Sequence, residues 1–129
     1  MTDGDLAPRT LALIAAGGVA GALARYAVGG VLPLMPATLA VNVVGSLVLG
    51  FVLYESIHLG AVPRQLRLVI ATGFLSSLTT YSTFALQTAD ASPALAVGNV
   101  GANYALGFLA IAIGRRTALR VAGGRNGGD

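Results

Sequence analysis

Hydroxyl side chains crowd one short stretch of this chain. Six of its nine residues are Ser or Thr, in the order Ser76-Ser77-Leu78-Thr79-Thr80-Tyr81-Ser82-Thr83-Phe84. A single hydroxyl in a helix usually hydrogen-bonds to its own backbone, whereas a dense run predicts a helix that is broken at this point. Carbonyls freed by such a break could coordinate a cation, and the hydroxyl groups could donate to an anion. The alternative is a polar packing interface between helices.

A few other polar residues stand in apolar surroundings: Arg25, Asn42, Asn99 and Asn103. An amide buried without a partner is costly, so each asparagine should either join two helices by a hydrogen bond or donate to a ligand. Arg25 should either reach toward the headgroups or place a cation at the mouth of an anion pathway. The residue types alone leave both alternatives open.

The composition identifies the environment of these residues. Hydrophobic residues make up 55% of the 129-residue chain and charged residues only 10%, against roughly 25% charged in a typical soluble domain. A bilayer span needs about 20 mostly apolar residues. The stretches with few charges predict four transmembrane helices at about 10–32, 37–57, 66–88 and 94–114. We therefore expect an all-α membrane protein, a single integral membrane domain with residues 117–129 as a disordered tail.

Several chemistries are excluded or disfavoured. There is no cysteine, which excludes disulfides, thiolate metal sites and thiol catalysis. Glu55 and Asp90 lie near the ends of predicted spans, so no carboxylate is expected in mid-membrane, which counts against a small proton-coupled exporter. His58 has no evident nucleophile beside it, and we do not expect an enzyme.

The basic residues are all arginines, and they predict the orientation. Seven would lie on one side of the membrane if the chain crosses it four times: Arg9, Arg64, Arg67, Arg115, Arg116, Arg120 and Arg125. The positive-inside rule then places both termini in the cytoplasm. Arginines that flank spans set topology, so their number does not indicate a nucleic-acid partner.

Three motifs, in this order, resemble the fluoride-channel family called Fluc or CrcB. They are Gly-Ala-Leu-Ala-Arg-Tyr at 21–26, Thr-Leu-Ala-Val-Asn-Val-Val-Gly-Ser at 38–46, and Gly73-Phe74 followed by Thr-Thr-Tyr-Ser-Thr-Phe at 79–84. The resemblance covers about residues 10–116. It implies a passive, fluoride-selective channel of the cell membrane that lowers cytoplasmic fluoride. It also implies a dimer of oppositely oriented subunits with two pores along their interface.

The resemblance assigns roles to individual residues. Asn42 matches a pore asparagine that donates to the anion, and the edges of the Tyr81 and Phe84 rings carry the partial positive charge that an anion can approach. The remaining pathway positions that the resemblance implies are Ser82 and Thr83 as a polar track, Tyr104 as a further pore-lining residue, and Arg25.

A structural sodium ion is the one cofactor that the resemblance implies. The backbone carbonyls of Ser76 and Thr79 match the positions that hold it. The family usually has Gly-Gly where this chain has Ser76-Ser77, and serine tolerates a strained backbone less well than glycine. This departure leaves sodium binding by the subunit open, and Gln87 departs likewise from a common glutamate.

The strong arginine bias predicts one fixed orientation. An antiparallel dimer would then need a second, separately encoded homologue of opposite bias. The alternative function is therefore a partner subunit of a two-gene heteromeric fluoride channel, with little activity alone. The departures from the family pattern in the third span would be tolerated because the partner subunit supplies a third span closer to that pattern.

Overall fold

The structure is a computed structural model that describes residues 8–126, with side chains described as far as residue 124. In chain order it contains α1 (Pro8–Val31), α2 (Leu34–His58), α3 (Arg64–Leu68), a π-helical segment (Val69–Leu75), α4 (Ser76–Leu78), α5 (Tyr81–Asp90) and α6 (Pro93–Asn126). The described residues between these helices form short connections. The predicted all-α fold is confirmed.

Four helical stretches are long and apolar enough to cross a bilayer. They are Pro8–Val31, Leu34–His58, Arg64–Asp90 and Pro93–Gly124. Each overlaps one predicted span, which confirms the expected number of membrane-crossing helices. The third stretch comprises α3, the π-helical segment, α4 and α5, and is called the third span below.

Prolines mark the points where helices begin. Pro33 precedes α2 with φ −57° and ψ 153°, and Pro63 precedes α3 with φ −55° and ψ 141°. Pro36 and Pro93 lie in the first turns of α2 and α6, where the N–H that proline lacks would have no intrahelical partner. The turns between spans therefore follow directly from the sequence.

The connection after α2 is held by a buried carboxylate. Glu55 is 2% exposed, and its Oε1 accepts the N–H of Val62 at 2.8 Å. Gly60 makes the turn with φ of 57°, a conformation that favours glycine. Glu55 thus lies near the end of α2 and binds the loop that follows, in agreement with its predicted place near a span end.

Glycines allow two pairs of helices to approach closely. A Cβ at Gly17 would lie 2.7 Å from the Val69 carbonyl oxygen, so α1 packs tightly on the first half of the third span. A Cβ at Gly50 would lie 2.7 Å from the Ile111 oxygen, which brings α2 against α6. Small residues serve this purpose in membranes, where lipid supplies no hydrophobic drive between helices.

Two residues of the third span leave the helical conformation. Thr79 has φ −77° and ψ 155°, and Thr80 has φ −149° and ψ 119°. Thr80 then caps α5, because its hydroxyl oxygen accepts the N–H of Thr83 at 3.2 Å. Ser76 and Ser77 precede these extended residues and are helical, with Ser76 at φ −63° and ψ −28°.

The expected disordered tail is wrong for residues 117–126. α6 continues to Asn126, and residues 127–129 lie outside the described part of the chain. Ala118 is 0% exposed, so packing stabilises this end of the helix despite Gly123 and Gly124. At about 1.5 Å per residue, the 34 residues of α6 extend well beyond the roughly 30 Å hydrocarbon core of a bilayer.

Candidate ion pathway

A cavity of about 510 Å³ lies between α2, the third span and α6. It opens on one side of the helix bundle. The residues predicted from the sequence that line it are Asn42, Ser76, Thr79, Tyr81, Phe84 and Tyr104. Four helices and the connection between α4 and α5 thus bring these residues to one place.

Three predicted residues lie elsewhere. Arg25 and Thr83 line a second cavity of about 200 Å³, together with Thr80, which also lines the larger one. Ser82 is exposed and lines neither of these two cavities. The predicted pathway residues therefore form two adjoining groups, and Ser82 belongs to neither.

Asn42 holds the extended part of the third span. Its Oδ1 accepts the N–H of Thr80 at 2.9 Å, and its Nδ2 donates to the carbonyl oxygen of the same residue at 3.2 Å. Nδ2 also donates to Oδ1 of Asn103 at 3.3 Å. The interhelical hydrogen bond that we considered for Asn42 is thus present. Both N–H groups of Nδ2 are therefore engaged, at the two longest distances of this set.

Thr80 lines this site, and the sequence prediction omitted it. It is only 8% exposed. Its hydroxyl lies 3.0 Å from the Thr83 hydroxyl and 3.4 Å from that of Ser82. Its position inside the run of hydroxyl residues was visible in the sequence, but its central role depends on its contact with Asn42.

Aromatic rings form a row along the cavity. The Tyr81 and Phe84 ring centroids are 5.8 Å apart. Phe84 meets Tyr104 in an edge-to-face arrangement at 6.4 Å and 81°, and Tyr104 is followed by Phe108 at 6.2 Å. Phe84 is 7% exposed, whereas Tyr81 and Phe108 are 73% and 67% exposed. Phe108 was not predicted, although its spacing of four residues from Tyr104 places both on one face of α6.

The second cavity combines a guanidinium with an amide. Arg25 and Gln87 both line it. Gln87 donates from Nε2 to the Leu34 carbonyl at 3.1 Å and to the Thr38 hydroxyl at 3.0 Å. Its Oε1 is buried without a partner. Gln87 therefore connects α5 to the start of α2. An ionised glutamate at this position could not donate to the Leu34 carbonyl or to the Thr38 hydroxyl oxygen.

The backbone at Ser76 suits a cation site and shows no strain. In a continuous helix the N–H of Thr80 would donate to the Ser76 carbonyl, but here it donates to Asn42. Ser76 has ordinary helical dihedrals, and its hydroxyl donates back to the carbonyls of Thr72 and Gly73. Within residues 8–126, positive φ occurs only at glycine. The strain expected at Ser76-Ser77 is thus absent. The carbonyl oxygen of Ser76, released from the helical hydrogen bond, is a suitable ligand for an alkali cation.

No titratable acid lines either cavity. Glu55 binds the loop after α2, and the described residues contain no cluster of three His, Cys, Asp or Glu that could hold a metal ion. A proton-coupled mechanism would need an acid on the path, and neither of these two cavities supplies an Asp or Glu.

Comparison with known proteins supports the resemblance. A family described as CrcB-like protein, Camphor Resistance (CrcB), matches residues 12–115. The protein named fluoride-specific ion channel FluC 1 of Natronomonas pharaonis is 54% identical over 110 residues, which covers 84% of this chain and 92% of that protein. A protein of the same name from Haloarcula marismortui is 46% identical over 115 residues, covering 89% and 90%. Fluoride-specific ion channel FluC 2 of Halobacterium salinarum is 42% identical over 118 residues, covering 91% and 92%.

Proposed function

Because this chain belongs to the CrcB-like family, we propose that it forms a fluoride-specific channel through which fluoride leaves the cell down its electrochemical gradient. The observation that carries the proposal is the cavity in which Asn42, Phe84 and Tyr104 meet. The identity of the ion, fluoride, is taken from the names of the similar proteins. The four apolar helices make the protein a multi-pass membrane protein.

The donors of the cavity suit a small, strongly hydrated anion. The amide of Asn42 would donate to it by giving up one of its two long hydrogen bonds, at 3.2 and 3.3 Å. Ring edges such as that of Phe84 present partial positive charge without the hydration of a cation. Outside this cavity, the hydroxyl groups of Thr83, in the adjoining cavity, and of the exposed Ser82 can rotate to donate in place of water. Arg25 in the adjoining cavity raises the local concentration of anions. Release stays easy because no donor in the larger cavity carries a full charge.

We propose an antiparallel dimer as the working assembly. The cavity opens on one side, and Tyr81, Tyr104 and Phe108, which line it, are half or more exposed. A second subunit would cover these rings and complete a pore. The arginine distribution favours a fixed orientation with cytoplasmic termini. The numbered names FluC 1 and FluC 2 of similar proteins are compatible with a separately encoded partner.

A structural sodium ion fits this arrangement. The carbonyl oxygens of Ser76 and Thr79 would hold it, and two subunits would supply four such oxygens. The ion would add fixed positive charge between the subunits and hold the extended residues of the two third spans together.

Fluoride efflux from liposomes that contain the purified chain alone tests the function. A fluoride electrode records the ion after a potassium ionophore removes the opposing voltage. Rapid fluoride loss with little chloride loss is the expected result. Fluoride loss that requires a pH gradient would contradict passive conduction.

The partner-subunit alternative makes a different prediction in the same assay. The chain alone would then be inactive, and adding a homologue of opposite arginine bias would produce flux. Orientation is tested separately by a reporter fused to the C-terminus. A mixture of inside and outside populations in cells would contradict a fixed orientation.

A further inference from the structure

A line of side-chain hydrogen bonds begins at Thr80 and crosses from the third span to α6. The Thr80 N–H donates to Asn42 Oδ1 at 2.9 Å. Asn42 Nδ2 donates to Asn103 Oδ1 at 3.3 Å. Asn103 Nδ2 in turn donates to Asn99 Oδ1 at 3.0 Å, and to the backbone carbonyl of Asn99 at the same distance.

The line then returns to the third span. Asn99 Nδ2 donates to the Thr88 hydroxyl oxygen at 2.9 Å, and that hydroxyl donates to the carbonyl oxygen of Phe84 at 2.7 Å. Both ends of the line therefore lie in the third span. One end is at the extended residues and the other is at the pore-lining aromatic of α5.

Every bond in this line runs in the same direction. Each amide accepts through its oxygen from the preceding group and donates through its nitrogen to the next. A flipped Asn103 amide would set its nitrogen against the Asn42 nitrogen and its oxygen against the Asn99 oxygen. Aligned hydrogen bonds also polarise one another in surroundings of low dielectric constant. Two contacts with Thr80 set the orientation of the Asn42 amide directly, and the line through Asn103 adds a third contact that favours the same orientation.

We infer that Asn103, Asn99 and Thr88 are positioning residues of the ion pathway. They orient the Asn42 amide and couple the extended backbone at Thr80 to the helix that carries Phe84. Without them the Asn42 amide would keep only its two hydrogen bonds to Thr80, and its Nδ2 would lose the contact that holds it toward α6. This inference rests on the proposed channel function.

Thr88→Val tests the far end of the line, because valine has nearly the same shape without the hydroxyl. One lost hydrogen bond should lower fluoride flux about two- to tenfold, and Thr88→Ser should restore it. Thr117→Val is the matched control: the Thr117 hydroxyl also donates to a backbone carbonyl four residues back, that of Ile113 at 3.0 Å, but lies outside the line. It should leave flux unchanged.

The decisive comparison combines Thr88→Val with Asn42→Ala. If Thr88 acts through Asn42, the double variant should conduct no more slowly than Asn42→Ala alone. Two independent sites would instead multiply their reductions in flux. Multiplied reductions, or a Thr88→Val channel that conducts like the unmodified one, would overturn the inference.

A second measurement does not depend on conduction. The chain has four asparagines, Asn42, Asn99, Asn103 and Asn126, so ¹⁵N-asparagine labelling gives a simple side-chain amide spectrum with Asn126 as reference. Thr88→Val should shift the resonances of Asn99, Asn103 and Asn42, the last without direct contact. A shift confined to Asn99 would overturn the inference. Propagated shifts in a protein that conducts no fluoride would sustain the hydrogen-bond line while contradicting the proposed function.

Discussion

Asn42→Asp separates the charge of the pathway from its packing. The substitution keeps the oxygen that accepts from Thr80, but it replaces Nδ2 by a second oxygen. That oxygen would face the Thr80 carbonyl at about the present 3.2 Å and Asn103 Oδ1 at about 3.3 Å. A carboxylate should therefore rotate toward the cavity, where the ion passes.

The size of the effect follows from Coulomb's law. An anion about 4 Å from the carboxylate would meet roughly 4 kcal/mol of repulsion at an effective dielectric constant of about 20. Each 1.4 kcal/mol corresponds to about tenfold, so flux should fall on the order of a thousandfold.

The assay is fluoride efflux from liposomes, with Asn42→Ala measured beside Asn42→Asp. Alanine also removes the amide but adds no charge, so it should lose far less flux. Both variants must elute as the unmodified protein does in size-exclusion chromatography. Equal flux in the two variants would refute the argument, because it would show that a negative charge at residue 42 does not repel the passing ion.

Three further substitutions address the rings, the serines and the glycines. Phe84→Ile should slow fluoride about two- to tenfold through the lost ring edge, and unchanged efflux would remove this ring from the pathway. Replacing Ser76 and Ser77 by glycine should leave efflux nearly unchanged, because Ser76 is unstrained. A large rise in efflux would favour the partner-subunit alternative. Gly114→Ala should destabilise the protein by about 1–3 kcal/mol through overpacking against α2, measured by denaturant unfolding in detergent. The control Gly101→Ala faces open space and should be neutral or slightly stabilising, and equal loss in both would contradict the packing argument.

Part of the site was predictable, because residue chemistry marked Asn42 and the resemblance to the fluoride-channel family marked the aromatic residues. Tyr81, Phe84 and Tyr104 were selected through that resemblance, and all three line the larger cavity together with Asn42. Polar groups in apolar spans are costly without a partner. Such residues therefore stand out even when no partner can be named.

The prediction was weaker wherever a role depends on a partner far along the chain. Thr80 was one of several hydroxyl residues until its contact with Asn42, 38 positions away, became visible. Phe108 was one apolar residue among many on α6 until its ring was found beside Tyr104. No local pattern distinguishes a lining residue from one that faces lipid.

The error at the end of α6 has the same origin. Glycines and arginines after residue 114 indicated a tail, and local propensity disfavours a helix at Gly123 and Gly124. Burial of Ala118 offsets that preference. Packing against another helix is not encoded in the residues of the tail itself.

The sequence by itself determined the environment and the number of spans, because these depend on composition and on local runs of apolar residues. It indicated the chemistry of the candidate pathway through motifs that resemble a known family. Only the tertiary structure decided which groups meet. It placed the extended residues at Thr79 and Thr80, because the Asn42 amide replaces the hydrogen bond that a continuous helix would make there. It also joined three asparagines and Thr88 into one directed line, which requires helices distant in sequence to pack side by side.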